Sequence, residues 1–182
     1  GRIAAEKNMQ AAVDAVLALS SRYPIRFVLV GDGPLRKQLQ HKYPDFIFCG
    51  TRLGDELSMH YASADILLFP SRTETYGNVL TEAMASGLAT VAYDEAAAHE
   101  HVTNWHNGVF AQDKPSKNFT AVTSRLCSQP KSIRTIGRHA YEYCKQLSWP
   151  GIVSRFESFL YSLSSNRNLS NCTTENIEDN QS

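Results

Sequence analysis

Residues 66–87 read Ile66-Leu67-Leu68-Phe69-Pro70-Ser71-Arg72-Thr73-Glu74-Thr75-Tyr76-Gly77-Asn78-Val79-Leu80-Thr81-Glu82-Ala83-Met84-Ala85-Ser86-Gly87. The first four are an uninterrupted apolar run closed by Pro70-Ser71, the pattern of a strand buried on both faces of a parallel sheet. From 79 to 86 the apolar residues fall at helical spacing, and Gly87 ends the pattern. The loop between them leaves the carboxyl end of the strand, where open α/β sheets bind their ligands.

The loop has a chemistry to match. Gly77 carries no side chain to obstruct an approaching ligand, and Asn78 is expected to cap the helix, leaving the amides of the first turn pointing outward. Such an end attracts phosphate. Glu74 before the glycine can accept hydrogen bonds from sugar hydroxyls, and Glu82 stands four residues past Asn78 on about the same helix face. A diphosphate held between two polyol groups is a nucleotide sugar. Two glutamates alone carry little weight, since a solvated loop carboxylate and a solvated helix carboxylate would look the same.

Working outward, apolar runs and helical patterns alternate, which implies a parallel sheet with helices on both faces. The expected helices are 6–20, 35–41, 55–63 and 79–86; the expected strands are 25–30, 46–48, 66–69, 89–92 and a short edge strand at 108–111. Gly31-Asp32-Gly33-Pro34 makes a sharp turn. Three helical stretches follow at 117–128, 132–146 and 149–163, with Pro130 and Pro150 marking the starts of the last two. Residues 164–182 are polar and rich in Asn and Ser, a composition expected to be disordered. One domain over 1–163 and a tail over 164–182 result. The alternation also calls for a strand ahead of Gly1, so the first strand is expected to be missing.

Composition narrows the function classes. With 182 residues and 42% hydrophobic content the chain suits a single globular domain. Eighteen basic and eighteen acidic residues cancel, so no nucleic-acid partner is indicated. No apolar stretch approaches the roughly 20 residues of a membrane span, and the start lacks the order of a signal peptide. Cys49, Cys127, Cys144 and Cys172 are scattered, as reduced thiols of a cytoplasmic protein would be. His99 and His101 are two apart and do not share a helix face, so no metal site is expected.

The string Pro70-Ser71-x-x-Glu74-x-x-Gly77-x-x-x-x-Glu82-Ala83-Met84-Ala85-x-Gly87 resembles the donor-site signature of retaining glycosyltransferases with the GT-B fold. Gly1-Arg2 followed by Lys7, Val30-Gly31-Asp32-Gly33-Pro34, Tyr61-Ala62-Ser63-Ala64-Asp65 and Ser148-Trp149 resemble the same family in the same order. Thr73-Glu74-Thr75-Tyr76-Gly77-Asn78 and Ala96-Ala97-Ala98-His99-Glu100 are most similar to GDP-mannose-dependent alpha-mannosyltransferases that act on lipid acceptors. This chain departs from the family where Ala96-Ala97 replaces Gly-Gly, Ala89 replaces proline and Tyr76 replaces phenylalanine.

The resemblance implies a Rossmann-like, carboxyl-terminal half of a GT-B enzyme that binds the donor. An amino-terminal acceptor-binding domain would be its missing partner, with a lipid acceptor at the inner face of the membrane. The nucleotide sugar would be a co-substrate, with no cofactor and no metal. Arg2 and Lys7 would grip the diphosphate, a fork and a point charge suited to phosphate oxygens. Glu74 would hold the sugar and Glu82 the ribose. Tyr76, Gly77, Asn78 and Val79 would supply backbone contacts, and Gly31, Gly33, Arg52 and Leu53 would border the phosphates and base. A non-catalytic nucleotide-sugar-binding module stays open as an alternative. A flavodoxin-like signalling domain fits less well, because the acidic cluster it needs at the strand ends is not evident.

Overall fold

The computed structural model describes residues 1–74, 77–112, 118–147 and Ser158. The chain divides into two units, Gly1–Cys144 and Lys145–Ser182, and the architecture below is that of the first. The helix expected over 149–163 and the tail over 164–182 lie outside the described residues, apart from Ser158, which is helical and exposed.

A 3₁₀ turn at Ala5–Lys7 leads into α1 (Met9–Ser20). Then follow β1 (Val28–Val30), α2 (Arg36–Lys42), β2 (Ile47–Gly50), α3 (Gly54–Ala62), β3 (Ile66–Phe69) and α4 (Asn78–Ala85). The series ends with β4 (Ala89–Tyr93), α5 (Ala96–His101), β5 (Val109–Ala111), α6 (Asn118–Cys127) and α7 (Pro130–Lys145). Every strand pair is parallel. The fold is therefore α/β and Rossmann-like, as expected, but the described strands form two sheets, β1-β2 and β3-β4-β5. β5 is an edge strand, and the sequence also placed β3 at its observed bounds.

Alternation along the strands builds a core on each face of the larger sheet. Ala89, Val91 and Tyr93 of β4 join Val109 and Ala111 of β5 on one side, against Ala15 of α1, Phe119 and Leu126 of α6 and Ile136 of α7. Ala92 and Phe69 turn the other way, toward Leu80 and Met84 of α4, Ala98 of α5 and Ala140 of α7. All five residues of β4 are buried, which is why apolar residues stand on both of its faces, with Thr90 its one polar member. The smaller sheet has its own cluster of Leu29, Val13 of α1, Leu39 of α2 and Ile3. Phe27 and Phe46 pack edge to face beside it, with centroids 5.1 Å apart. α1 thus contributes Val13 to one sheet and Ala15 to the other. Each large side chain buried this way contributes about 1.5–3 kcal/mol relative to leaving it in water.

Residues 1–8 run across the carboxyl ends of both sheets. The Phe27 carbonyl accepts from Ile47 and the Gly31 amide donates to Gly50, so Val30 between them faces away from β2. On that outer edge the Gly1 nitrogen donates to the Val30 carbonyl at 2.6 Å. Asn8 Nδ2 donates to the Pro70 carbonyl just past β3 at 3.3 Å. One short segment therefore ties the ends of β1 and β3, and the candidate site lies there.

Candidate functional site

The helix expected over 6–20 is interrupted at Asn8, whose φ of 51° lies in the left-handed region. Asparagine is among the few residues with a side chain that adopt it readily. The interruption separates the 3₁₀ turn from α1 and lets Lys7 reach the loop after β3, where its ammonium donates to Glu74 Oε2 across 67 residues of sequence. The two side chains are 26% and 24% exposed. At that burial each would bear a desolvation cost if left unpaired. An anion beside Lys7 and hydroxyls beside Glu74 could each take over one half of the pair.

Gly77, not Asn78, caps α4, which corrects the sequence expectation. Its φ of 62° and ψ of 37° are left-handed, and its carbonyl accepts from Leu80 at 2.8 Å and Thr81 at 3.0 Å. Asn78 is then the first helical residue, and the amides of Asn78 and Val79 are first-turn donors that the helix cannot itself use. Glycine is demanded here by packing: a Cβ on Gly77 would lie 2.6 Å from Ala97 Cβ. Tyr76 lies outside the described residues.

Ala97 belongs to α5, a helix the sequence did not announce, and the turn before it braces the glutamate loop. The Ala97 amide donates to the Glu74 carbonyl at 3.0 Å. Arg72 Nη1 donates to Glu95 Oε1 at 2.8 Å, and the same guanidinium lies 3.9 Å from the centroid of the buried Tyr93 ring. Sequence reasoning passed over Arg72 and Glu95 because their partners are distant in the chain and leave no local spacing. It also missed Tyr61, whose hydroxyl donates to Glu82 Oε2 at 2.9 Å. Tyr61 was noted only as part of a family string.

The Gly31 to Gly33 turn receives the backbone of residues 1–3: Ile3 donates to the Asp32 carbonyl at 2.9 Å. A Cβ on Gly31 would meet the Gly1 carbonyl oxygen at 1.7 Å, and one on Gly33 the Ile3 oxygen at 2.3 Å. In the structure these glycines therefore seat the amino-terminal segment. Val79 packs in the cluster beneath α4 and the exposed Glu82 follows one turn later. Arg2 is 66% exposed and pairs with Glu6 at 3.4 Å. Arg52 pairs with Glu56 at 3.3 Å, and Leu53 beside it is 75% exposed. Lys7, Glu74 and Gly77 are thus brought together, with Asn78, Val79 and Glu82 on the helix leaving them.

The histidines and cysteines engage elsewhere. His99 Nδ1 lies 2.8 Å from Asp94 Oδ1, which raises its pKa, while His101 Nδ1 lies 3.1 Å from the Tyr143 hydroxyl. Among the described residues no group of three or more His, Cys, Asp or Glu is placed to hold a metal. Cys49, Cys127 and Cys144 carry no disulfide, and burial pushes the Cys144 thiol up to about 11. Among the described residues no helix is long and apolar enough to cross a membrane.

Comparison with known proteins places this geometry. Residues 1–129 match the family described as glycosyl transferases group 1. A GDP-mannose-dependent alpha-mannosyltransferase of Corynebacterium glutamicum is 44% identical over 155 residues, which are 85% of this chain and 37% of that protein. The chain thus spans little more than a third of that relative's length. The crystal structure of the C-terminal domain of a glycosyl transferase group 1 family protein, LpcC of Francisella tularensis, superposes with a TM-score of 0.71 at 26% identity. That match covers 80% of this chain and 82% of the other. Anabaena Alr3699/HepE, crystallised with UDP, agrees in fold, with a TM-score of 0.71 at 23% identity over 91% of this chain and 47% of that one. By sequence and by the GT-B type of its fold, the chain belongs to the glycosyl transferases group 1 family.

Proposed function

We propose that this chain is the donor-binding half of a retaining hexosyltransferase that moves mannose from GDP-mannose to a hydroxyl of a lipid acceptor. The observation that carries the reading is the meeting of Lys7 with Glu74 beside the amino terminus of α4. A cation, a carboxylate and unused helix amides at the carboxyl ends of parallel strands suit a sugar joined to a diphosphate. The mannose and the guanine rest on the GDP-mannose-dependent activity of the 44%-identical relative.

In this reading negative charge grows on the diphosphate as the bond to the sugar breaks. Lys7, Arg2 and the amides of Asn78 and Val79 stabilise that charge more than they stabilise the intact donor, which is what lowers the barrier. The diphosphate is held by these groups rather than by a metal. Glu74 accepts hydrogen bonds from the sugar hydroxyls once Lys7 turns to the phosphate, and Glu82 accepts from the ribose. Gly31, Gly33, Arg52 and Leu53 border the phosphates and base, and Tyr76 is assigned a backbone contact to the donor. The glutamates are not the acid and base of a hydrolase, since both contact polyols rather than flank a scissile bond from opposite sides. The acceptor binds an amino-terminal domain, so the 182-residue chain alone performs no transfer.

The test is transfer by the protein joined to its acceptor domain, supplied with GDP-mannose and a membrane lipid extract, and analysis of the anomeric configuration of the product. Retention is expected, and Glu74→Ala should lower kcat by about 100-fold or more while GDP affinity changes little. An inverted product, or transfer by Glu74→Ala at the unsubstituted rate, would refute the reading.

A further inference from the structure

We propose that Tyr61 is a positioning residue of the nucleotide site, holding Glu82 Oε2 so that Oε1 is presented to the ribose hydroxyls. The inference rests on the reading of Glu82 as the ribose ligand. It starts from α3, a helix that buries none of its residues. From its last turn the Tyr61 hydroxyl donates to Glu82 Oε2 at 2.9 Å across 21 residues of sequence.

The choice of donor has chemical consequences. An exposed glutamate on a helix samples several rotamers, and ordering it when a ligand arrives costs affinity. A phenol restrains the carboxylate in advance. It differs from lysine or arginine in leaving the negative charge unneutralised, so Oε1 keeps its full strength as an acceptor of sugar hydroxyls. It differs from water in being fixed by the chain. Burial and the adjacent carboxylate both push the Tyr61 phenol above its ordinary value, so it remains a donor throughout the physiological range. α3 and α4 are thereby joined at the residue that would read the ribose.

The experiment is calorimetric titration of the full chain with GDP or UDP, whichever binds the tighter, and with its 2′,3′-dideoxy form. Unsubstituted protein, Tyr61→Phe, Glu82→Gln and the double variant are compared, with thermal midpoints recorded. Tyr61→Phe is expected to weaken the ribonucleotide about three- to tenfold and to leave the dideoxy nucleotide unchanged. The double variant should lose no more than Glu82→Gln alone, because the two act through one carboxylate. If Glu82→Gln loses ribose-dependent affinity while Tyr61→Phe does not, the proposal is overturned and the ribose assignment stands. Equal weakening of both nucleotides by Tyr61→Phe would mean a merely structural role and also overturns it. If neither nucleotide binds, or the two forms bind alike to the unsubstituted chain, the ribose reading falls and the proposal with it.

Discussion

Ala96 has a φ of 48°, a conformation that costs a residue with a Cβ roughly 1–2 kcal/mol. Ala96→Gly is expected to raise stability by about 0.5–1 kcal/mol after the entropy of the added glycine is counted. Urea denaturation reads this directly, and a loss of stability would mean that the start of α5 is not strained at Ala96. Gly77 is the opposite case. Gly77→Ala combines a left-handed φ of 62° with a 2.6 Å approach to Ala97 Cβ, and should cost roughly 2 kcal/mol or more. Adding Ala97→Gly should recover the part due to overlap but not the part due to φ. Tyr61 supplies a pH signature. Its folded pKa is raised from 10, so the stability it contributes is fully present below pH 10 and lost as pH rises through the folded value. In urea titrations above pH 10, Tyr61→Phe should therefore lose stability less steeply than the unsubstituted chain. At this scale the sequence announced Glu74, Gly77 and Glu82, because loop chemistry is local. It did not announce Tyr61 or Arg72, whose meaning depends on partners that only folding brings near.

Elements were legible where the chain buries both faces and less so where hydrogen bonds set the limits. β3 and β4 stand within a residue of expectation because an apolar run records burial. β1 was expected over 25–30 and extends only over Val28–Val30, while β2 runs on to Gly50 with a register shift between Leu29 and Val30. The aromatic Phe27 and Phe46 supply core without belonging to either strand. α5 escaped notice because six residues give too little periodicity. The break at Asn8 escaped because Glu6 and Lys7 are good helix formers and no proline or glycine marks it. α7 adds a contact the sequence gave no hint of: a Cβ on Gly137 would lie 2.1 Å from the Gly87 carbonyl oxygen. Gly137→Ala should push α7 off the turn after α4 and cost roughly 1–3 kcal/mol by chemical denaturation. A variant as stable as the parent would mean that α7 does not dock there.

For the whole molecule, alternation of strand and helix was enough to give the fold class, since no other arrangement buries apolar runs between amphipathic helices. The division of the strands into two sheets was not legible. Residues 1–8, which bond the outer edge of β1 and the end of β3, join the two sheets, and no period in the sequence records that. The same segment delivers Lys7 to Glu74, so the joining of the two sheets and the making of the site are one event. Binding of a nucleotide sugar there is the central claim. Calorimetric titration of the 182-residue chain with GDP-mannose, beside GDP and UDP-glucose, and repeated on Glu74→Ala, tests it most directly. GDP-mannose should bind more tightly than GDP or UDP-glucose, and Glu74→Ala should reduce it to the affinity of GDP. GDP-mannose that binds no better than GDP, or as well to Glu74→Ala as to the unsubstituted chain, would contradict it.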